Sequence, residues 1–274
     1  MATPERAGSS GGGATGTLTP AVLVLDFDGT VCVGDAPILA YAEQVAARLP
    51  HGCRAGFRRA VEQFLAGESA LPGVEDGYQA VVHLVGDGLD EASLSAAYLA
   101  SRQDLDHRAT HPPDGLTAFL DEVRAQGAAV VLVTNAPLVG VDTWLSAHRV
   151  IDHLDAVIPD AGKPARMPEV LTGIMRQYRC EPGQVASVGD VWRNDIEPAL
   201  DLGAAGMYID RYGAGHGSAT ATARTFPGLY PRIRSWLQQV LTDVGGSPGG
   251  GAHVEGPGTQ AWNREAPYTE SSPN

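Results

Sequence analysis

The chain has 274 residues, enough for one large domain or two modest ones with a substantial hydrophobic core. Hydrophobic residues make up 43% and charged residues 19%, as in ordinary soluble globular proteins. The net charge is −13, from 19 Lys and Arg against 32 Asp and Glu, which argues against nonspecific binding to nucleic acid or to an anionic membrane.

Both ends of the chain have the composition of disordered tails. Residues 1–19 and 244–274 hold 12 of the 34 glycines, together with Ser, Pro and Thr, and almost no apolar periodicity. The N-terminal segment has no apolar signal core, and no apolar run approaches the length of a membrane span. The three cysteines are too scattered for a disulfide framework. We therefore expect a cytoplasmic protein with two disordered tails.

Five apolar runs between the tails predict buried β-strands. They are AVLVLD (21–26), AAVVLVT (128–134), LDAVI (154–158), QVASVGD (184–190) and AAGMYID (204–210). Each run is continuously apolar, as expected for strands that are covered on both faces of a parallel sheet. Helical patterns alternate with them at 115–127, 141–150, 168–179 and 194–203. This alternation predicts an α/β fold whose parallel strands are joined by right-handed crossovers.

One segment departs from this alternation. Residues 36–110 contain no clear strand and read as a series of helices, which predicts an all-helical insertion after the first strand, large enough to form a small domain. The α/β core is then predicted to comprise residues 20–35 and 111–243. Polar residues of this insertion, such as Arg54, Arg58, Arg59 and Tyr78, most often lie on solvated helix faces.

Seven polar residues come at or beyond the carboxyl ends of the predicted strands, where open parallel sheets bind their ligands. They are Asp26 and Asp28 after the first strand, Thr134 and Asn135 at the second, Lys163 after the third, and Asp190 and Asp195 at and after the fourth. Carboxylates suit Mg²⁺, which prefers oxygen ligands, whereas a lysine and a hydroxyl suit phosphate oxygens. The set indicates phosphoryl transfer, in which positioning and charge neutralisation supply most of the catalysis.

Four motifs carry a resemblance to a known family. The segments DFDGT (26–30), VLVTN (131–135), GKP (162–164) and GDVWRND (189–195) resemble the motifs of the haloacid dehalogenase superfamily of phosphohydrolases, in the same order along the chain. The resemblance covers roughly residues 20–212 and implies a Rossmann-like doubly wound parallel sheet as the catalytic core, with the insertion 36–110 as a helical cap. It also implies that the cap shapes the leaving-group pocket, which makes Arg54, Arg58, Arg59 and Tyr78 candidate substrate contacts. One departure is that the proline that commonly follows GKP comes later here, at Pro168.

The resemblance also implies a role for each motif residue. Asp26 resembles the nucleophile that forms an aspartyl-phosphate, and Asp28 resembles the general acid/base. The implied phosphate-binding residues are Thr134, Asn135 and Lys163, and the implied metal ligands are Asp26, Asp28 (through its backbone carbonyl), Asp190 and Asp195. The expected activity is Mg²⁺-dependent hydrolysis of a small phosphorylated metabolite.

Three other functions remain open at this stage. A phosphomutase of the same superfamily would retain the phosphoenzyme and transfer the group to a sugar. A dehalogenase is less consistent with the sequence, because those enzymes lack the second aspartate and this chain has Asp28. A cap-bearing binding or regulatory protein would have lost turnover.

Overall fold

A computed structural model describes residues 21–102 and 110–245. The predicted tail 1–19 lies outside the described residues, as does the tail 244–274 apart from its first two positions. Residues 103–109 of the predicted cap are also outside them.

The centre of the fold is a six-stranded parallel sheet. Its strands are β1 Ala21–Leu25, β2 Ala128–Val133, β3 Ala156–Ile158, β4 Val185–Gly189, β5 Ala205–Ile209 and β6 Ala221–Ala223. The spatial order is β3-β2-β1-β4-β5-β6, so the chain winds outward on both sides of β1. The five predicted strands are confirmed, and the doubly wound α/β fold with them. The strand β6 was not predicted, because it has only three residues and none of them is buried.

Helices follow or precede each strand. In chain order after the insertion they are α5 Leu116–Ala125, α6 Leu138–Ala147, α7 Met167–Tyr178, α8 Glu197–Asp201 and α9 Phe226–Gly245. The four helices predicted in this part of the chain correspond to α5 through α8. The helix α9 was not predicted, because Pro231 lies inside it and obscures an apolar face that includes Leu229, Ile233 and Leu237.

The sheet separates two hydrophobic layers. Along β1, Leu23 and Leu25 contribute to a core that also contains Trp144, whereas Val22 and Val24 pack into a second core on the opposite face. Every residue of β1 is buried, because successive side chains of a strand point to opposite faces and both faces are covered. This explains why the strands read as continuous apolar runs.

The helices α1 Ala36–Arg48, α2 His51–Leu65, α3 Gly77–Val85 and α4 Glu91–Arg102 lie between β1 and β2 in the chain. They form the helical insertion and have their own hydrophobic core, which includes Tyr41, Phe57 and Val81. Of the helices in the described residues, none combines the length and the apolar character needed to cross a bilayer.

We expect truncation of Leu132 to destabilise the protein strongly. Leu132 is fully buried in β2, so Leu132→Ala should lower the free energy of unfolding by about 2–5 kcal/mol through lost burial and the cavity that remains. Leu138→Ala, at a leucine that is 46% exposed at the start of α6, is the matched control and should change stability by less than about 0.5 kcal/mol. Urea unfolding measures both, and equal losses would contradict the assigned core.

Candidate active site

The carboxyl ends of the strands bring Lys163 into contact with two acidic residues. Its Nζ lies 2.7 Å from Asp26 Oδ1 and 2.6 Å from Asp195 Oδ1, and it donates a third hydrogen bond to the Val133 carbonyl at 3.0 Å. All three donor positions of the ammonium are thus used. These residues come from the ends of β1 and β2 and from the loops after β3 and β4, so only the parallel sheet can assemble them.

Three buried carboxylates form a cluster at this point. Asp26, Asp190 and Asp195 each offer an oxygen, and these oxygens all lie within 4.8 Å of one another. Asp195 Oδ2 is buried and has no hydrogen-bond partner among the described residues, so one acceptor is free of them. Hard divalent cations such as Mg²⁺ take oxygen ligands of this kind, and these three residues would hold one.

Burial makes the charged forms of these carboxylates unfavourable. It raises the pKa of Asp26 from 3.8 to about 7, although the nearby Lys163 ammonium opposes the shift. Burial and the negative charge of Asp26 raise the pKa of Asp190 well above its usual value. Burial also disfavours the charged Lys163, but the carboxylates of Asp195 and Asp26 outweigh it and raise the pKa of the lysine. A bound cation would relieve the repulsion among the acidic groups.

Two glycines allow the acidic side chains to approach the backbone. A Cβ at Gly29 would overlap the Asp190 carboxylate, and a Cβ at Gly189 would overlap Asp195. Gly29 also has a φ of +81°, a conformation that favours glycine. The turn after β1 therefore needs glycine at position 29 for both reasons.

The two polar residues that follow β2 take different positions. The Thr134 hydroxyl is buried and accepts a hydrogen bond from the Ala136 amide at 3.0 Å, which leaves its own proton available. The Asn135 side chain bonds the backbone of Lys163 at both ends, accepting from its amide at 2.7 Å and donating to its carbonyl at 2.9 Å. Asn135 thus holds the loop that carries Lys163.

Asp28 lies apart from the three clustered carboxylates. Its Oδ1 accepts hydrogen bonds from Arg102 Nη1 at 2.7 Å and from the Tyr78 hydroxyl at 3.3 Å. Both partners belong to the helical insertion, Tyr78 to α3 and Arg102 to the last position of α4. Asp26 and Asp28 therefore have different partners: Asp26 contacts Lys163 of the core, whereas Asp28 contacts residues of the helical insertion.

The insertion also contributes an acidic group. Asp76 caps α3 by accepting a hydrogen bond from the Gln79 amide at 2.6 Å. Burial raises its pKa from 3.8 to about 6, and the charges of Asp26 and Asp28 add to the effect. Asp76 lines the same small cavity as Asp28, Tyr78 and Asp190.

Sequence reasoning missed Arg102 and Asp76 as residues of the site. Neither lies in a motif, and both come from helices whose orientation toward the sheet depends on tertiary packing. Of the candidate contacts in the cap, Tyr78 does reach Asp28. Arg54 bonds carbonyls at the end of α1, Arg58 pairs with Glu43, and Arg59 is exposed.

Substitution of Gly29 should disturb Asp190 specifically. Gly29→Ala introduces a Cβ that overlaps the Asp190 carboxylate, so we expect a loss of cation binding beyond the cost of the left-handed backbone. Gly115→Ala is the control, because Gly115 has a similar φ of +70° and its Cβ would meet nothing within 4 Å. That variant should lose about 1–2 kcal/mol of stability and bind the cation normally. Calorimetric titration with Mg²⁺ measures cation binding, and thermal melts measure stability. Equal Mg²⁺ affinities of the two variants would contradict the assignment of Asp190 as a cation ligand.

The metal-free protein should become less stable as the pH rises from about 4 to about 7. Because the folded-state pKa of Asp26 is raised from 3.8 to about 7, the folded protein keeps a proton that the unfolded chain releases in this window. In the presence of chelator, the free energy of unfolding should therefore be lower at about pH 8 than at about pH 5, by more than about 1 kcal/mol. Asp26→Asn should reduce this dependence, and a stability that rises across the window would contradict it.

Comparison with known proteins identifies the family. The family model for haloacid dehalogenase-like hydrolases matches residues 20–203, which contain all four motifs. A phosphoglycolate phosphatase of Vibrio vulnificus (strain CMCP6) is 28% identical over 123 residues, covering 44% of this chain and 53% of that protein. The match therefore spans about half the length of this relative.

Solved structures share the fold. A predicted phosphoglycolate phosphatase from Haemophilus somnus 129pt superposes with a TM-score of 0.55 at 17% identity, covering 78% of this chain and 97% of that one. A haloacid dehalogenase-like family hydrolase from Xanthomonas campestris has a TM-score of 0.53 at 15% identity, covering 82% and 95%. With its motifs at the strand ends of this sheet and the family match over residues 20–203, the chain belongs to the haloacid dehalogenase-like hydrolases.

Proposed function

We propose that the protein is a Mg²⁺-dependent phosphatase that hydrolyses a small phosphorylated metabolite through an aspartyl-phosphate. The observation that carries this proposal is the buried Asp26 carboxylate, held 2.7 Å from the Lys163 ammonium and beside Asp190 and Asp195. This arrangement supplies a nucleophile, a cation for the phosphate oxygens and a set of metal ligands at one place.

In the first step Asp26 attacks the phosphorus atom of the substrate. A bond forms between a carboxylate oxygen and phosphorus, and the bond from phosphorus to the leaving oxygen breaks. Asp28, two residues further along the turn, donates a proton to that leaving oxygen. The products of this step are the free alcohol and phosphorylated Asp26.

In the second step water hydrolyses the aspartyl-phosphate. Asp28, now deprotonated, takes a proton from the water as its oxygen attacks phosphorus. The bond from phosphorus to the Asp26 oxygen breaks, and inorganic phosphate leaves. One aspartate thus serves as nucleophile and the other as acid and then base.

The remaining residues hold the phosphoryl group. Lys163 neutralises its oxygens, and the Thr134 hydroxyl, whose proton is available, donates to them. Asn135 positions Lys163 through the loop backbone. When bound by Asp26, Asp190 and Asp195, with the backbone carbonyl of Asp28 as a further ligand, Mg²⁺ would supply charge neutralisation for a dianionic phosphate.

The relative named phosphoglycolate phosphatase supports a phosphatase over a dehalogenase, as does the presence of Asp28. A phosphomutase would use the same first step but would transfer the phosphoryl group to a second hydroxyl. Product analysis separates the two, because a phosphatase releases one inorganic phosphate for each ester consumed.

Two substitutions test the division of roles. Asp26→Asn should lower turnover by at least about a thousandfold, because an amide cannot act as the nucleophile. Asp28→Asn should give a burst of nitrophenolate from p-nitrophenyl phosphate and then slow turnover, because this leaving group hardly needs an acid but hydrolysis of the intermediate still needs a base. Rapid-quench kinetics measures the burst, which should approach one per active site.

Asp201→Asn, at an exposed position in the last turn of α8, is the control and should turn over normally. Excess chelator should abolish wild-type activity and added Mg²⁺ should restore it. A residual burst in Asp26→Asn would place the nucleophile elsewhere, and full activity in chelator would exclude the metal.

A further inference from the structure

Arg102 is a charged side chain buried at the boundary between the helical insertion and the core. It is 1% exposed, and its Nη1 donates to Asp28 Oδ1 at 2.7 Å and to the Tyr78 hydroxyl at 3.1 Å. The rings of Phe27 and Tyr98 lie 5.8 and 5.9 Å from the guanidinium carbon. The group is thus packed firmly beside the residue proposed as acid and base.

The other edge of this guanidinium has no partner. Nε and Nη2 of Arg102 are both buried and make no hydrogen bond to any of the described residues. These two nitrogens form the fork that binds a carboxylate through two parallel hydrogen bonds. Leaving the donors of a buried charged group without hydrogen bonds costs free energy. A ligand that supplies acceptor atoms for Nε and Nη2 would remove this cost.

A purely structural ion pair would use the arginine differently. Asp28 contacts Arg102 through a single oxygen and a single nitrogen, although a bidentate pair would satisfy more donors at once. The pairing with Asp28 therefore orients the side chain and leaves the fork free.

We infer that Arg102 binds a carboxylate carried by the leaving group of the substrate, an inference that rests on the proposed phosphatase function. The nearness of Nη1 to Asp28 places the fork close to the leaving oxygen, so the carboxylate is separated from the phosphoester by a short linker. The substrate class is accordingly a small phosphorylated hydroxy acid.

Charge favours a carboxylate over a second phosphate. The acidic groups around the site are Asp26, Asp28, Asp76, Asp190 and Asp195, against the buried cations Lys163 and Arg102. Arg211 also lines the cavity, but its guanidinium is paired with Asp35 at 2.7 Å. Lys163 serves the phosphate that reacts, so the fork of Arg102 remains for the leaving group. A monoanionic carboxylate matches that single charge, whereas a second dianionic phosphate would exceed it.

Binding requires the helical insertion to move. The cavity lined by Asp28, Asp76, Tyr78 and Asp190 has a volume of about 20 Å³, room for a water molecule but not for a phosphomonoester. Arg102 lies at the end of α4 and therefore moves with the insertion. Opening takes the fork away from the sheet and admits the substrate, and closing brings the fork against the bound substrate.

A comparison of two substrates tests the inference without any substitution. Phosphoglycolate carries a carboxylate, and phosphoglycolamide has nearly the same shape without the charge. With Mg²⁺ present, wild-type kcat/KM should be about 10–100-fold higher for phosphoglycolate, the range expected for hydrogen bonds to a charged group. Equal values would overturn the inference, and so would a preference for the bisphosphate of ethylene glycol, which would indicate a phosphate in place of the carboxylate.

Substitution of Arg102 assigns the preference to this residue. Arg102→Gln should lower kcat/KM for phosphoglycolate about 10–100-fold more than for the amide, because damage to Asp28 affects both substrates equally. Arg102→Lys keeps the charge but not the fork, and should lose a smaller part of the preference. Arg48→Gln, at an exposed arginine of α1, should keep the wild-type preference. An unchanged preference in Arg102→Gln would overturn the assignment.

The outcomes separate this inference from the proposed function. Failure to hydrolyse p-nitrophenyl phosphate or either glycolate ester would refute the phosphatase, and the inference with it. Hydrolysis of all three esters without preference would refute only the role of Arg102. Calorimetric binding of glycolate, the product alcohol, supplies a readout besides turnover: it should be detected in wild type and lost in Arg102→Gln. Binding retained in that variant would count against the fork.

Discussion

The arrangement of the site depends on the Lys163 ammonium, which lies between two buried carboxylates. Burial raises the pKa of Asp26, Asp190 and Asp195, and the positive charge of Lys163 opposes this effect at all three carboxylates. The lysine in turn needs these carboxylates, because burial alone would favour its neutral form. Each charge therefore opposes the effect of burial on the others.

The parallel sheet makes this arrangement possible. Acidic side chains from the ends of β1 and β4, and a lysine from the loop after β3, meet at one edge because parallel strands all present their carboxyl ends there. Glycines at positions 29 and 189 allow the close approach, since any side chain there would overlap a carboxylate. The hydrophobic layers on both faces of the sheet keep these strand ends in register.

The second aspartate of the first motif connects the core with the helical insertion. Asp28 pairs with Arg102 and Tyr78, so the residue proposed to protonate the leaving group is also the point that the insertion contacts. Leaving-group recognition and proton transfer would thereby share one location. The cavity beside Asp28 is too small for a phosphomonoester, so this contact would have to open for a substrate of the proposed class.

Five strands of the sheet, and the positions of seven polar residues near strand ends, could be predicted from the amino-acid sequence. The prediction was possible because strands covered on both faces read as unbroken apolar runs, and because parallel strands direct their carboxyl ends to one edge. The hold of Asn135 on the Lys163 loop, and the approach of Arg102 and Asp76 to the site, could not be predicted from the sequence. The first contact joins two loops at neighbouring strand ends, and the others depend on how the helical insertion packs on the sheet, which no local pattern records. The helix α9 and the strand β6 were missed because their sequence signals are weak: Pro231 interrupts the helical pattern of α9, and β6 has only three residues, none of them buried.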